Sequence, residues 1–352
     1  MTNICYRRQK NGKSLQNRRI SQNRTNKSAG TDQVTVHYKY RNQKTGALEK
    51  DRARLDKLNQ VKVPASYTKI EICYDWKHDH WRATGSDGTG QKQYFYSPDH
   101  WEESHQKKLG ELMALGENLP RIVREIERLL DSREPYQRVL DALALKIIML
   151  CHFRVGHYKN REKHHTYGAT TLTRNHVRAI KGGMSIKFVG KKQQVNQCNV
   201  DDPQVVWWLK WLMSRRSAKE ELLGYQDYTV TPESVNKFLQ DFDPQLSAKV
   251  WRTWFANAYF INELIEKAGR QIPIEQSERK KMVSSVVDEL ADQMHHTPEI
   301  NKHSYLIKDL PEIYINSPET WSKLSGVTGN GTDFLMAFLD YHQQLKKHKN
   351  DP

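Results

Sequence analysis

The chain has 352 residues, with 56 Lys+Arg against 41 Asp+Glu and a formal net charge of +15. Hydrophobic residues at 37% and aromatics at 10% exclude a mostly disordered chain, and a domain size of roughly 100–200 residues predicts two domains. The cationic excess points to an anionic partner. The longest apolar run, Ile147 to Phe153, is far short of the ~18 residues a membrane span needs. The N-terminus has no apolar signal segment, and no lipidation motif is present, so an intracellular protein without a membrane partner is expected. The four cysteines stand far apart with no C-x-x-C pair, which argues against a zinc ribbon or a disulfide framework. His78-Asp79-His80, His164-His165 and His295-His296 do not form H-E-x-x-H, and no metal site is expected.

Residues 1–30 carry eight Lys/Arg and no acid, among Asn, Gln, Ser and Gly. This reads as a disordered basic arm, either a solubilising or nuclear-address tail or a DNA contact. Gly12-Lys13-Ser14 looks like the end of a phosphate-binding loop, but Arg7 stands where the upstream glycine is required. Residues 31–100 then predict a small, mainly antiparallel β domain. It has strands at 33–40, 67–74, 80–84 and 91–96 and a short helix at 50–60. A glycine-rich hairpin turn, Gly85 to Gly90, precedes the last strand.

From Trp101 onward the pattern turns helical, and residues 101–352 are expected to form a larger, mainly α domain. Ile122, Ile126, Leu129 and Leu130 follow the 3.6 period, and Pro135 opens a long apolar helix expected to reach Phe153. A three-stranded β meander is predicted at 176–180, 184–189 and 194–200. Helices follow at 203–214, 233–240, 247–267, 279–294 and 332–347. Trp207, Trp208 and Trp211 could stack on nucleic acid, but at helical spacing they read as core. The fold class is α+β.

Five residues of the second domain carry potential chemistry: Arg154, Lys191 on a hairpin turn, Arg252 in a Trp-rich helix, and His296 and Tyr305 nine residues apart. Singly, each has an ordinary structural explanation. In this order they resemble the active site of type IB DNA topoisomerases, above all the small poxvirus-like and giant-virus enzymes. Thr166-Tyr167-Gly168-Ala169-Thr170-Thr171-Leu172 resembles that family's T-x-G-x-x-T-L segment, His176 precedes Lys191 by the family's fifteen residues, and the stretch Gly85 to Tyr96 resembles its N-terminal domain. The resemblance runs from about Gln33 to the C-terminus. It departs at His295, where the small viral enzymes usually have Gly, so a positive φ is not expected there. It also departs at His157, Asn160, Gln91 and Lys92, which bear on site preference rather than catalysis.

The resemblance implies a reaction without metal, ATP or other cofactor, in which Tyr305 attacks a DNA phosphorus. It gives Arg154, Arg252 and His296 the non-bridging oxygens and Lys191 the proton for the leaving 5′-oxygen. Lys249, one helical turn before Arg252, would add a phosphate contact. Lys92, Gln93, Tyr94 and Tyr96 belong to the strand implied to meet the major groove of double-stranded DNA. A monomer closing as a clamp around the duplex is implied, in a virion, a viral factory or a nucleus. A tyrosine recombinase is the alternative enzyme, but it typically carries His three residues before the second arginine, where this chain has Lys249. An architectural DNA-binding protein is the alternative from outside enzymes.

Overall fold

The computed structural model describes residues 5–10, 38–73, 81–269, 272–326 and 330–350. The chain divides into two compact units, residues 1–106 and 107–352. Among the described residues, no helix is long and apolar enough to cross a membrane.

In the first unit, β1 (Cys5–Lys10), β2 (Tyr38–Asn42), β3 (Thr68–Cys73), β4 (Trp81–Ser86) and β5 (Lys92–Tyr96) form one antiparallel sheet of order β2-β1-β3-β4-β5. The short helix α1 (Arg52–Asn59) begins where the Asp51 side chain accepts from Arg54 N at 2.9 Å. Its Leu58 packs with Tyr6, Tyr40, Val61, Ile70, Ile72 and Ala83 as the apolar core. The β4–β5 turn is held by Asp87, whose Oδ1 accepts from Thr89 N and Gln91 N, both at 3.0 Å. Hydrogen bonds from the Thr89 and Gln93 side chains, with smaller help from these two backbone donors, hold its carboxyl down at about 2.

Two expectations fail here. Cys5–Lys10 is not part of a disordered arm: it is an interior strand whose Tyr6 is 1% exposed and donates to Glu49 Oε2 at 2.6 Å. One aromatic anchor among cations gives no alternation long enough to read as a strand. Residues 11–37, including most of the basic segment and the Gly12-Lys13-Ser14 motif, lie outside the described residues, as does His78-Asp79-His80. The cysteines also pair, Cys5 with Cys73 and Cys151 with Cys198. Sequence separations of 68 and 47 hid both, because antiparallel register sets Cys5 opposite Cys73 and tertiary packing brings the other two together.

The second unit begins within α2 (Pro98–Asp131). The helix α3 (Gln137–Cys151) stops short of Phe153 because His152 adopts the left-handed conformation, φ 54°, and caps it. A short α4 (Tyr158–His164) follows, then the meander β6 (Val177–Ile180), β7 (Gly183–Val189) and β8 (Val195–Val200) in sequential order. Next come α5 (Pro203–Met213), the two-residue strands β9 (Gly224–Tyr225) and β10 (Tyr228–Thr229), and α6 (Pro232–Gln240). Trp208, on α5, is fully buried and donates to Leu130 O at 3.0 Å, the core role expected of it. The helix α7 (Ala248–Ala268) is buried on nearly all sides and packs against α3, α6, α8 (Gln276–Gln293) and α12 (Gly331–Asn350). Between α8 and α12 lie α9 (Pro298–Ile300), a π turn at Asn301–Tyr305, α10 (Asp309–Asn316) and α11 (Pro318–Gly326).

Tyr6→Ala is expected to destabilise the first unit by about 3–5 kcal/mol, the usual range for truncating a buried aromatic. Urea denaturation checks this, and a loss under about 1 kcal/mol, as for a residue in a loose tail, contradicts it.

Candidate active site

The site is assembled around Arg252, which α7 carries into the interior at 3% exposure. Nε donates to His152 O at 2.8 Å, Nη1 to the Tyr305 hydroxyl at 2.8 Å, and Nη2 to Met294 O at 3.1 Å and His296 Nε2 at 2.9 Å. None of these partners is a carboxylate. Burial lowers the guanidinium pKa to about 10, with Tyr305 opposing the shift and Arg154 adding to it. A buried cation without a buried anion beside it is a site prepared for an anionic ligand.

Two left-handed residues shape this cluster, each at a cost of about 1–2 kcal/mol. His152 (φ 54°) turns its carbonyl to Arg252. His295 (φ 53°) does adopt the positive φ not expected of it, and its ring lies 5.7 Å from that of Phe153. The bend hands the chain from α8 to His296, which is 8% exposed. Burial first, then Arg252 and Arg154, push the His296 pKa down to about 3, so the ring is neutral near pH 7. His296 Nδ1 lies 3.1 Å from Asn301 Oδ1, and the His296 and Tyr305 rings are 4.7 Å apart.

Tyr305 ends the π turn, at 8% exposure. Asn257, one and a half turns after Arg252 on α7, brackets it: Nδ2 donates to Tyr305 O at 3.0 Å, and Oδ1 accepts from Ile307 N at 2.8 Å. One fully buried amide thus ties the backbone on both sides of the phenol to the helix that carries its hydrogen-bond partner. Lys108 adds a cation, donating to Ser304 O at 3.3 Å. Burial and the neighbouring Lys249 lower its pKa. Lys249 itself is exposed at the start of α7.

Arg154 is half-buried in the loop after α3 and close enough to Arg252, His295 and His296 to lower the pKa of each. The Thr166–Leu172 segment braces this loop. Ala169 N donates to Arg154 O at 2.9 Å, and Thr170 N and Oγ1 donate to Val155 O at 2.7 and 2.9 Å. A Cβ on Gly168 would lie 2.5 Å from Arg154 O and 2.6 Å from Gly156 Cα, so only glycine permits this approach. Tyr167 N donates to Val189 O at 2.9 Å, linking the brace to the end of β7. There the exposed Lys191 begins the turn to β8, with Lys192 and Gln193 both at φ 60°. Neither the Lys191 nor the Lys192 side chain makes a hydrogen bond or ion pair among the described residues. The Cys151–Cys198 disulfide is a second tie between the end of α3 and β8.

The structure therefore joins Arg252, His296 and Tyr305 directly, sets Arg154 beside them and leaves Lys191 on an exposed turn. His176 is elsewhere: its Nδ1 accepts from Thr173 N at 3.0 Å, and burial lowers its pKa to about 4. Tyr314, the other tyrosine near the C-terminal side, is fully buried with its hydroxyl on Met282 Sδ. In the first unit, β5 places Lys92, Tyr94 and Tyr96 on one face. Phe95 packs inward on Tyr67, and Gln93 donates to Asp87 Oδ2 at 2.8 Å. Lys92 lies 5.5 Å from the Tyr94 ring centroid, and Tyr94 and Tyr96 stack at 6.4 Å.

Residues 97–313 match the family described as "Eukaryotic DNA topoisomerase I, catalytic core". The chain belongs to that family. It is a type IB DNA topoisomerase, an isomerase that acts on DNA. It is 24% identical over 301 residues to the DNA topoisomerase 1B of Acanthamoeba polyphaga mimivirus, covering 82% of this chain and 88% of the relative. Over 290 residues it is 24% identical to the DNA topoisomerase 1 of rabbit fibroma virus, covering 81% and 88%. Identity with the vaccinia virus (strain Copenhagen) DNA topoisomerase 1B is 22% over 267 residues, covering 75% and 82%. Sequence reasoning passed over Asn257, Asn301 and Lys108 in this enzyme. A signal existed for Asn257, since an Asn within Trp-Phe-Ala-Asn-Ala-Tyr-Phe disfavours a helix and must find partners once buried.

Gly168→Ala is expected to lower stability by about 1–3 kcal/mol and to slow DNA cleavage, because the added methyl meets backbone that carries Arg154. A urea midpoint and a single-turnover cleavage rate both equal to those of the unmutated enzyme would contradict the brace.

Proposed function

We propose that the enzyme relaxes positive and negative supercoils by cutting one DNA strand through Tyr305 and resealing it, without ATP or metal. The observation that supports this reading is the buried Arg252 guanidinium donating to the Tyr305 hydroxyl at 2.8 Å with no carboxylate to neutralise it. Tyr305 Oη attacks a backbone phosphorus, an O–P bond forms, and the bond to the 5′-oxygen breaks. The products are a 3′-phosphotyrosyl enzyme and a free 5′-hydroxyl strand. One phosphodiester replaces another, so religation is the same step reversed and needs no energy source.

Each residue acts on a distinct part of this exchange. Arg252 already donates to the attacking oxygen and stabilises it as its proton departs to water. Of its five N–H groups four are occupied among the described residues, leaving one on Nη1 for a phosphate oxygen. Arg154 supplies a second planar fork for the five-coordinate phosphorus, and His296 Nε2 a third contact. Lys191 reaches the leaving 5′-oxygen from its turn and protonates it. Lys249, together with the Lys92, Tyr94 and Tyr96 face, contacts the duplex, and Gln93 contributes by fixing the β4–β5 turn. A monomer closing around the DNA lets the free end rotate between cleavage and resealing.

Relaxation of supercoiled plasmid in EDTA without ATP is the test of the overall reading, and a nucleotide or metal requirement overturns it. The role of Lys191 has a sharper test. Lys191→Ala is expected to slow cleavage by orders of magnitude on ordinary DNA. The rate should approach normal when sulfur replaces the bridging 5′-oxygen, since a thiolate leaves without a proton. Arg154→Ala should gain much less from sulfur. Equal rescue of both variants removes the general-acid role, and rescue of Lys192→Ala instead moves it one residue along the turn.

A further inference from the structure

The protonation of His296 contains a conflict that the site must resolve. A neutral imidazole has one N–H. Arg252 has only donors, and its Nη2 points at His296 Nε2 at 2.9 Å, so Nε2 presents its lone pair and Nδ1 carries the hydrogen. That hydrogen goes to Asn301 Oδ1 at 3.1 Å. In this arrangement His296 has nothing to donate to a phosphate oxygen, yet the role proposed above requires Nε2–H. Protonating the ring is opposed by its surroundings: burial, Arg252, Arg154 and His295 all hold its pKa down, to about 3, with only Asn301 opposing them.

Asn301 has the complementary property. Its side chain is fully buried, Oδ1 is on His296, and Nδ2 has no hydrogen-bond partner. Its backbone is fixed, with N donating to Thr297 O at 3.2 Å and O accepting from Leu306 N at 2.9 Å. The terminal torsion of an Asn is broad and roughly two-fold, and the two ends of the amide have nearly the same shape. Turned by half a rotation, Nδ2 would donate to Nδ1, and the ring hydrogen would belong on Nε2. Leaving a buried N–H unpaired is costly, so the orientation in the free enzyme is imposed by Arg252 through His296, the one partner of the amide among the described residues.

We propose that Asn301 is a positioning residue that sets the His296 tautomer in two states. In the free enzyme its oxygen holds the hydrogen on Nδ1, and Nε2 accepts from Arg252. When a DNA phosphate that accepts the free Nη1 hydrogen also draws the Nη2 hydrogen away from His296, the amide turns, donates to Nδ1 and leaves Nε2–H facing the phosphate. The proton moves from one ring nitrogen to the other by exchange with water, so the net charge of the ring does not change. This inference rests on the reading that a phosphate occupies the Arg252–His296 cluster.

The test is nitrogen NMR of the full-length Tyr305→Phe enzyme, free and saturated with duplex DNA, following the His296 ring nitrogens and the Arg252 guanidinium. Free enzyme is expected to carry the hydrogen on Nδ1. The complex should carry it on Nε2 alone, with Arg252 signals shifted. An Arg252 signal that DNA leaves unmoved overturns the phosphate reading and this inference with it. A shifted Arg252 with the hydrogen still on Nδ1, or with both nitrogens protonated, overturns the tautomer switch alone. Added to Tyr305→Phe in the same NMR experiment, Asn301→Asp, whose carboxylate only accepts, should give a doubly protonated ring in the complex. With Tyr305 intact, the cleavage rate of Asn301→Asp should fall with rising pH where the unmutated enzyme's does not, and a profile parallel to that enzyme's overturns the proposal. Asn301→Leu should slow cleavage by no more than His296→Ala does, on the order of 10²-fold. Added to His296→Ala it should have no further effect, whereas a second loss of similar size overturns the assignment by marking a general packing role.

Discussion

A guanidinium buried without a carboxylate is the constraint on which the rest of the catalytic unit depends. Arg252 is 3% exposed, and its hydrogen bonds go to two carbonyls, a phenol and an imidazole. Placing a charge there is costly unless its hydrogen bonds are satisfied, and each satisfying group comes from a different part of the chain. The left-handed turn at His152 supplies one carbonyl, the end of α8 another, and the bend at His295 delivers the imidazole. The π turn delivers the phenol, and Asn257 on the same α7 pins the backbone around it. These local irregularities have a common cause, since regular helices alone would not bring four acceptors onto one side chain.

The same constraint connects stability to function. Two of the groups that satisfy Arg252 in the free enzyme, the Tyr305 hydroxyl and His296 Nε2, are among those proposed to meet the phosphate during the reaction. An incoming phosphate oxygen therefore enters a site whose backbone is already fixed, and the change proposed on binding is confined to the Asn301 amide and the His296 ring hydrogen. Arg154 and Lys191 are held differently. A backbone brace through Gly168, Thr170 and Tyr167 fixes the Arg154 loop and reaches Val189, while Lys191 stays exposed just beyond it. A braced loop under Arg154 and an accessible turn at Lys191 fit the separate roles proposed for them.

Much of this was legible in the sequence. The strands β3 and β5 and the helices α5, α6, α7 and α8 were legible to within a few residues, because apolar residues recur along them between turn residues. Residue types in order pointed to Arg154, Arg252, His296 and Tyr305, and the structure gathers them in one cluster. Long-range pairings were not legible. Nothing local marks Cys5 as the neighbour of Cys73, or Tyr6 as a core residue of an interior strand. His295 misled because a positive φ was tied to glycine at that position, whereas histidine is one of the residues that adopts it, here at 53°. Asn301 carried no signal, since its importance lies in one orphaned amide nitrogen that only the folded structure exposes.

The central claim is that Arg252 holds Tyr305 as the residue that becomes joined to DNA. Its most direct test is to trap the protein–DNA adduct with detergent during turnover, digest it and identify the modified residue and the DNA end by mass spectrometry. The account predicts a single adduct in which Tyr305 is bonded to a 3′-phosphate. A modified Tyr314 or any other residue, or attachment through a 5′-phosphate, would contradict it.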